Sequence, residues 1–416
     1  MMLDSVLSGC ITIGSLTVEL PDGSEKHYGR GEPHVRWRVH DKRALRRIAS
    51  DPEFMLGQTY MDGQWSVADG TLRDLMEVLM RNFPEEQYTT WQLLAQRLLQ
   101  PIRQWNRESA ARRNVSHHYD LDQSLFQHFL DEELNYSCAY FARDDMTLEE
   151  AQLAKCELIR RKLCLEPGQR VLDIGCGWGS LARYLAEHAG VHVTGLTLSE
   201  EQKRIGDQRT RERGLEERVE IKLQDYRKET ATYDRVASVG MFEHVGRSYY
   251  DTFFSAVRDR LTADGIALIH TIGRTTPPGG TNPWIHQYIF PGGYIPAMSE
   301  AMAAVERQGL YGADVEVLRL HYAKTLAEWQ KRFQANRETF AERLGERFCR
   351  MWEFYLTVSE ASFYWRQLVV FHFQLARSVD AVPLRRDYVY ETPVEGAVAE
   401  MSAAAAAGRD SVSSGS

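Results

Sequence analysis

The segment Arg170–Gly179, RVLDIGCGWG, constrains this chain more than any other stretch. A short apolar strand runs straight into three closely spaced glycines, and an amphipathic helix follows from Ser180 to about Ala189. That order is the strand, glycine turn and helix of nucleotide-binding α/β folds, in which glycine lets the backbone approach a ligand. Taken alone, a G-x-G-x-G is equally a helix-packing device. The surrounding rhythm decides the fold class. From about residue 115 to 275 the apolar runs RVLDIG, HVTGLTL, RVEIKLQ, YDRVASVG and GIALIHTIG alternate with helical segments. Such alternation predicts an α/β, Rossmann-like domain with a mostly parallel sheet and helices on both faces.

The glycine turn carries a further hint. Asp173 stands two residues before Gly175 on the same strand, where a carboxylate addresses a cationic ligand and repels a pyrophosphate. Thr197 falls 20 positions after Gly177, where a dinucleotide fold expects a ribose-binding acid, and none is there. Ser199-Glu200-Glu201-Gln202 fits an S-x-x-Q capping box, so a helix cap competes with ligand binding as the role of Gln202. Gln224 and Asp225 end the third strand at the carboxyl edge, a natural place to read an adenine.

Before this domain, residues 11–39 read as short strands around a turn at Pro21-Asp22-Gly23, and 41–50 and 71–105 have helical spacing. We therefore expect a small α+β domain over residues 1–105 and a catalytic domain over 106–394. The polar, low-complexity tail 395–416 is expected to be disordered. Long helical sequence is expected from Thr325 to about Arg377. The stretch WQLLAQRLLQPIRQW (91–105) spaces apolar residues helically around a Pro101 break, and is expected to pack on the next domain or to touch a membrane.

Composition removes several classes. The net charge of −8 speaks against a general nucleic-acid binder. No uninterrupted apolar run is long enough to span a bilayer, and no secretory signal opens the chain. A cytoplasmic protein is the expectation. The six cysteines (10, 138, 156, 164, 176 and 349) form no CxxC pair, so neither a metal site nor a disulfide framework is expected. Between Arg36 and Arg47, RWRVHDKRALRR sets six cations against one acid, which is either a solvated helix face or a patch for anionic headgroups.

Taken together, LDIGCGWGSLARYLAE, GLTLSEEQ, SVGMFEHVG, HTIG, NPWIHQYIFPGGYIP and HHYDLDQSLFQHFLDEELNYSCAYF resemble the cyclopropane-fatty-acid-phospholipid synthases and the mycolic acid cyclopropane synthases and methyltransferases. The likeness runs from about Asn114 to Arg377, and LGQTYMDGQW resembles the extra N-terminal domain of the bacterial phospholipid enzymes. The resemblance implies a class I methyltransferase fold and S-adenosylmethionine as cofactor. Tyr136, Ser137, Asp173, Gly175, Gly177 and Gly179 would hold it, with Thr197, Gln202, Gln224 and Asp225 on the adenosine side. It further implies a bicarbonate ion held by Cys138, Glu243, His270, Tyr322 and the backbone of Ile272.

On those terms the chain transfers a methyl group to the cis double bond of a phospholipid acyl chain. Bicarbonate would then take a proton so that a cyclopropane closes. The expected partner is a bilayer surface carrying unsaturated chains, met peripherally at the inner face of the membrane, with a homodimer left open. C-methylation without ring closure is the alternative; a lipid binder with a vestigial pocket or a soluble small-molecule methyltransferase would be the other classes. Without the resemblance, His270 and Tyr322 read equally as satisfied core residues, and Glu243-His244 as a strand-end turn. Aromatics crowd the insert (Trp284, Tyr288, Phe290, Tyr294) and the C-terminal region (Trp352 to Phe373), and some are expected to wall an acyl tunnel. Ser359 stands where many relatives carry a cysteine, which disfavours a thiolate mechanism at that position. Gln58 is a milder departure, at a position where an acid is common.

Overall fold

A computed structural model describes residues 2–83 and 123–390. The stretch 91–105, the first residues of the matched segment and the tail beyond 390 lie outside them. The chain divides into two compact units.

The first unit contains Met1–Gln104 together with Pro278–Tyr294 and Leu326–Leu368. Its four strands, β1 (Gly14–Glu19), β2 (Glu25–Arg30), β3 (His34–Val39) and β4 (Trp65–Asp69), form a sheet in the order β2-β1-β3-β4. Gly23, at a positive φ of 80°, makes the β1–β2 turn, and Asp22 accepts from the Ser24 amide. One face of the sheet carries the core: Leu16, Val18, Val35, Trp37 and Val39 are buried at alternate positions. Asp41 caps the helix Lys42–Ser50, Asp51 caps Pro52–Met61, and Thr71 with Asp74 closes a capping box on Leu72–Asn82.

The insert and the long helix Glu346–Trp365 join this unit through specific contacts. A Cβ on Gly57 would meet Trp284 Nε1 at 2.6 Å and Phe354 Cε1 at 2.7 Å, so only glycine permits that approach. Arg73 pairs with Glu360 at 2.7 Å, and the Tyr60 hydroxyl donates to Glu353 at 3.3 Å. Both segments were expected with the residues that follow 105; side chains far apart in sequence pack them on the helices Pro52–Met61 and Leu72–Asn82 instead.

The second unit holds a seven-stranded sheet: β5 (Arg170–Ile174), β6 (His192–Thr197), β7 (Val219–Leu223), β8 (Tyr233–Val239), β9 (Leu261–Arg274), β10 (Tyr311–Val317) and β11 (Leu368–Ala376), in the order β10-β11-β9-β8-β5-β6-β7. Strands β5 to β9 pair in parallel, and β10 pairs antiparallel with β11. Consecutive residues Val171 to Ile174 are all buried, so both faces of β5 are covered, as a parallel sheet under helices requires. The chain moves from β5 outward through β6 to β7, then returns to lie at β8 on the other side. The crevice at the carboxyl ends of β5 and β8 is therefore the topological switch point where open α/β sheets bind ligands.

One expectation is corrected. The helical run predicted from Thr325 to Arg377 consists of helices His321–Ala335, Arg337–Leu344 and Glu346–Trp365, and then β11. LVVFHFQLA is buried on both faces, His372 and Gln374 included, so it shows no alternation of buried and exposed positions along the strand. Gln367, at a positive φ of 54°, turns the chain from helix to strand without the glycine or proline that usually announces such a change.

Candidate active site

Strand β5 ends in a buried carboxylate. Asp173 is 1% exposed, and its Oδ2 has no hydrogen-bond partner among the described residues. Burial pushes its carboxyl up to about 7, with the nearby Lys155 ammonium pulling the other way. Each of the following glycines has a separate reason to be glycine. A side chain on Gly175 would meet Met241 at 2.8 Å, and one on Gly179 would meet Ile221 at 2.8 Å. Around Gly177, at φ 55°, a Cβ would touch nothing within 4 Å. Open space beside a left-handed turn, next to a partnerless carboxylate, fits a ligand with a cationic group against Asp173.

The ends of β6 and β7 are already bonded internally. Thr197 Oγ1 donates to Gln202 Oε1 at 2.7 Å, and Ser199 Oγ accepts the Gln202 amide at 3.2 Å. Serine thus caps the helix Glu200–Glu212, while the Gln202 side chain turns to Thr197 and closes no reciprocal box. The Gln224 amide donates to the Thr197 carbonyl at 3.0 Å, and Gln224 Nε2 donates to Glu229 at 3.0 Å. Arg227 grips Asp225 through Nε at 2.8 Å and a second nitrogen at 2.5 Å. Burial works to raise the Asp225 carboxyl, but the bonds and charge of Arg227 outweigh it and hold it low.

Tyr136 and Ser137 precede the helix Leu148–Lys162, where a lysine missed from the sequence organises them. Lys155, 2% exposed, donates to Asn135 Oδ1 and Ser137 Oγ, both at 3.0 Å. Gln152 Nε2 donates to the carbonyl of Ser137 at 3.0 Å. The Tyr136 ring meets Phe126 edge-on at 5.5 Å. Gln152 and Lys155 interrupt an otherwise apolar helical face, and that interruption was the available signal.

The bicarbonate residues proposed by resemblance come from four places in this unit. Glu243 follows β8, and its Oε1 accepts the amide of Ile272 in β9 at 2.6 Å. Glu243 Oε2 is buried with no hydrogen-bond partner among the described residues, and burial pushes the carboxyl up to about 7, with the Ile272 amide, its own amide and the Thr271 side chain pulling the other way. His270 pairs in register with Val239, and the Gly240 amide donates to its carbonyl at 2.9 Å. Burial, with Lys155 and Lys162 adding to it, pushes the His270 imidazole down to about 3, so it is neutral. The Ala139 amide donates to Thr325 at 3.0 Å and the Phe141 amide to His321 at 3.0 Å, which ties the Cys138 segment to the helix turn bearing Tyr322. Cys138 is fully buried; its thiol donates to the Ala139 carbonyl at 3.3 Å and is pushed well up, so it is no thiolate. Ser359 lies on the helix Glu346–Trp365 of the first unit.

This strand order and site define a class I methyltransferase, an enzyme dependent on S-adenosylmethionine. Residues 106–373 match the family described as mycolic acid cyclopropane synthetase, and the chain belongs to that family. Residues 2–86 match a domain of unknown function. Cyclopropane-fatty-acyl-phospholipid synthase of Escherichia coli (strain K12) is 38% identical over 354 residues, covering 82% of this chain and 88% of that protein. Tuberculostearic acid methyltransferase of Mycobacterium tuberculosis (strain ATCC 25618 / H37Rv) is 36% identical over 359 residues, 82% of each. Among solved structures, mycolic acid cyclopropane synthase CmaA1 complexed with SAH and CTAB aligns with a TM-score of 0.60 at 36% identity, over 64% of this chain and 98% of that one.

Proposed function

We propose that this enzyme transfers the methyl group of S-adenosylmethionine to the cis double bond of a phospholipid acyl chain and closes a cyclopropane ring, with bicarbonate as the base. The observation that carries the reading is Glu243: a buried carboxylate with one oxygen on the Ile272 amide and the other without a partner, on the same strand ends as His270. The similarity to the E. coli phospholipid synthase supports the substrate class.

Bound S-adenosylmethionine supplies an electrophilic methyl on a sulfonium. An isolated alkene is a weak nucleophile, so it must be held dry and aligned against that methyl. Asp173 would receive the cofactor's cationic end, and the Gly175–Gly179 turn would admit it closely. Methyl transfer leaves a carbocation, and ring closure requires loss of a proton from the new methyl to a base that does not capture the cation. Glu243 would accept a hydrogen bond from the hydroxyl of such a base and raise its basicity, while His270, Tyr322 and the Cys138 segment would donate to its oxygens. The Ile272 amide, expected among those donors, already serves Glu243, so an anion there shares or exchanges that bond. Aromatics expected along the acyl path pack in the first unit, with Trp284 edge-on to Phe354 at 4.8 Å and Phe290 edge-on to Tyr355 at 5.8 Å.

The similarity to tuberculostearic acid methyltransferase favours one alternative, methylation without ring closure. Both products gain the same mass. Purified enzyme acting on vesicles of defined unsaturated phospholipid should yield a product that ozone does not cleave at the methylated site. Cleavage there would establish the alternative.

Peripheral contact with an anionic membrane face completes the reading. No helix among the described residues is long and apolar enough to cross a membrane. The basic stretch is thinner than its sequence suggests. Arg36 and Arg38 pair with Glu25 and Glu19, Lys42 with Asp22, and Arg47 approaches Asp62 at 3.8 Å. Arg43 and Arg46 are exposed and form no ion pair among the described residues. Two free cations at ~1 kcal/mol each predict about 30-fold weaker sedimentation with anionic vesicles in an Arg43→Gln/Arg46→Gln variant. Unchanged sedimentation would reject the patch.

A further inference from the structure

A line of buried polar groups runs behind His270, away from the residues assigned to the reaction. His270 Nδ1 lies 2.8 Å from Nε2 of His372 on β11. Nδ1 of His372 lies 3.1 Å from Nζ of Lys162, at the end of the helix Leu148–Lys162. Lys162 in turn meets the carboxylate of Glu316 on β10, which also accepts the Tyr390 hydroxyl at 2.9 Å. His270, His372 and Lys162 are 2%, 1% and 1% exposed. Three strands and a helix thus place four titratable groups in series, and the cyclopropanation reading uses the first of them alone.

Counting protons along the line fixes each of them. Two neutral histidines facing each other have two equivalent arrangements, since either ring can donate. The lysine removes that choice. An ammonium offers donors and no acceptor, so His372 Nδ1 must accept from it. A neutral imidazole carries one N–H, which for His372 must then be on Nε2, donating to His270 Nδ1. His270 Nδ1 is an acceptor, and its own proton sits on Nε2. We propose that Lys162 and His372 are positioning residues that lock His270 in the Nε2–H tautomer and so present a fixed hydrogen-bond donor to an anion at the reacting centre.

The electrostatic surroundings agree with this geometry. Burial, with Lys155 and Lys162 facing the ring, keeps His270 neutral; burial together with Lys162, His270, His321 and Lys155 keeps His372 neutral. Burial works against the charge on Lys162, Arg386 adds to that, and Glu316 with Asp314 holds the ammonium. Glu316 is itself held low, Lys162 and Tyr390 outweighing its burial. A doubly protonated His270 would set two donors against each other across 2.8 Å, and a doubly protonated His372 would set its Nδ1–H against the Lys162 ammonium across 3.1 Å.

The tautomer does not depend on what the site binds, whereas its effect on turnover rests on the function proposed above. Both are measurable on the full chain labelled with 15N-histidine, by long-range proton–nitrogen NMR, the His270 signals being identified by their absence in His270→Ala. The expected wild-type spectrum shows His270 protonated on Nε2. Lys162→Met and His372→Leu should populate the Nδ1–H form and lower kcat about 10-fold, the scale of one hydrogen bond, with KM for S-adenosylmethionine unchanged. His372→Gln should restore both tautomer and kcat, because its amide donates to His270 and its carbonyl accepts from Lys162. An Nδ1–H wild-type His270, or retention of the Nε2–H form in both Lys162→Met and His372→Leu, would overturn the inference; the wild-type measurement stands even if a variant fails to fold. A tautomer that shifts as expected while kcat stays constant would uphold the lock and remove His270 from the proposed reaction.

Discussion

The two ends of the candidate site treat their polar groups in opposite ways. At the β6–β7 end, Thr197, Gln202, Gln224 and Asp225 are bonded to one another or to Glu229 and Arg227. At the β5–β8–β9 end, Asp173 and Glu243 each keep a buried oxygen with no partner among the described residues, and burial pushes both carboxyls up to about 7. A satisfied set costs the fold little and holds its shape before any ligand arrives. An unsatisfied buried carboxylate costs free energy until a ligand completes it. On the proposed reading, the adenosine side would then be organised as a template, and the reacting side as a pair of incomplete contacts whose completion would accompany binding and chemistry.

Glu243 offers the largest test of that contrast. The Glu243→Gln variant keeps an acceptor for the Ile272 amide but accepts no proton. We expect kcat to fall by about 10²–10⁴, the range for losing a general acid–base group, with cofactor affinity nearly unchanged in calorimetry. Turnover that needs the ionised carboxylate should rise with pH through about 7 in the wild type and lose that limb in the variant. A wild-type rate would take Glu243 out of the proton chemistry.

Asp173→Asn should act on binding and stability together. Losing a charge-assisted contact should weaken S-adenosylmethionine by about 10- to 100-fold. Because burial raises this carboxyl from 3.8 to about 7, the ligand-free protein holds the associated stability below pH 4 and loses it as pH rises through 7. The variant lacks that loss. At pH 8 it should be the more stable protein, by on the order of 4 kcal/mol at most, less whatever Lys155 loses with its charge partner. Urea denaturation at pH 5 and pH 8 measures both limbs, and equal wild-type and variant curves at pH 8 would contradict the buried-charge account.

The same contrast marks what the sequence could disclose. Strands β5 to β9 were legible because each is a short apolar run between turn residues, and Asp173 with Gly175, Gly177 and Gly179 was legible because turn and ligand chemistry are local. Glu243, His270, Ile272, Cys138 and Tyr322 became candidates through resemblance, since their convergence depends on strand order. Lys162 was missed for a physical reason: on a helix ending Arg160-Arg161-Lys162, a basic residue looks like a solvated end that favours the helix dipole, whereas Lys155 was missed although it interrupts an apolar face in mid-helix. Only tertiary packing puts Lys155 and Lys162 inside. His372 was missed with β11 itself. The two-segment addition to the first unit likewise rests on contacts such as Gly57 with Trp284, which no periodicity carries.

The smallest effect belongs to the completed end, and it separates two roles for Gln202. Its amide is capped by Ser199, and its side chain accepts from Thr197. A residue that served as a cap would lower stability by about 1 kcal/mol on replacement, whereas Gln202 makes its cap through the backbone, which alanine retains. Gln202→Ala should therefore leave the urea midpoint almost unmoved and weaken S-adenosylmethionine by about 5-fold, the scale of one neutral hydrogen bond. Ser199→Ala should do the reverse, losing about 1 kcal/mol of stability with the smaller change in affinity. If Gln202→Ala lost stability and kept its affinity, the Thr197–Gln202 pair would be a structural brace, and the β6 end would owe its ligand contacts to the backbone and to Asp225.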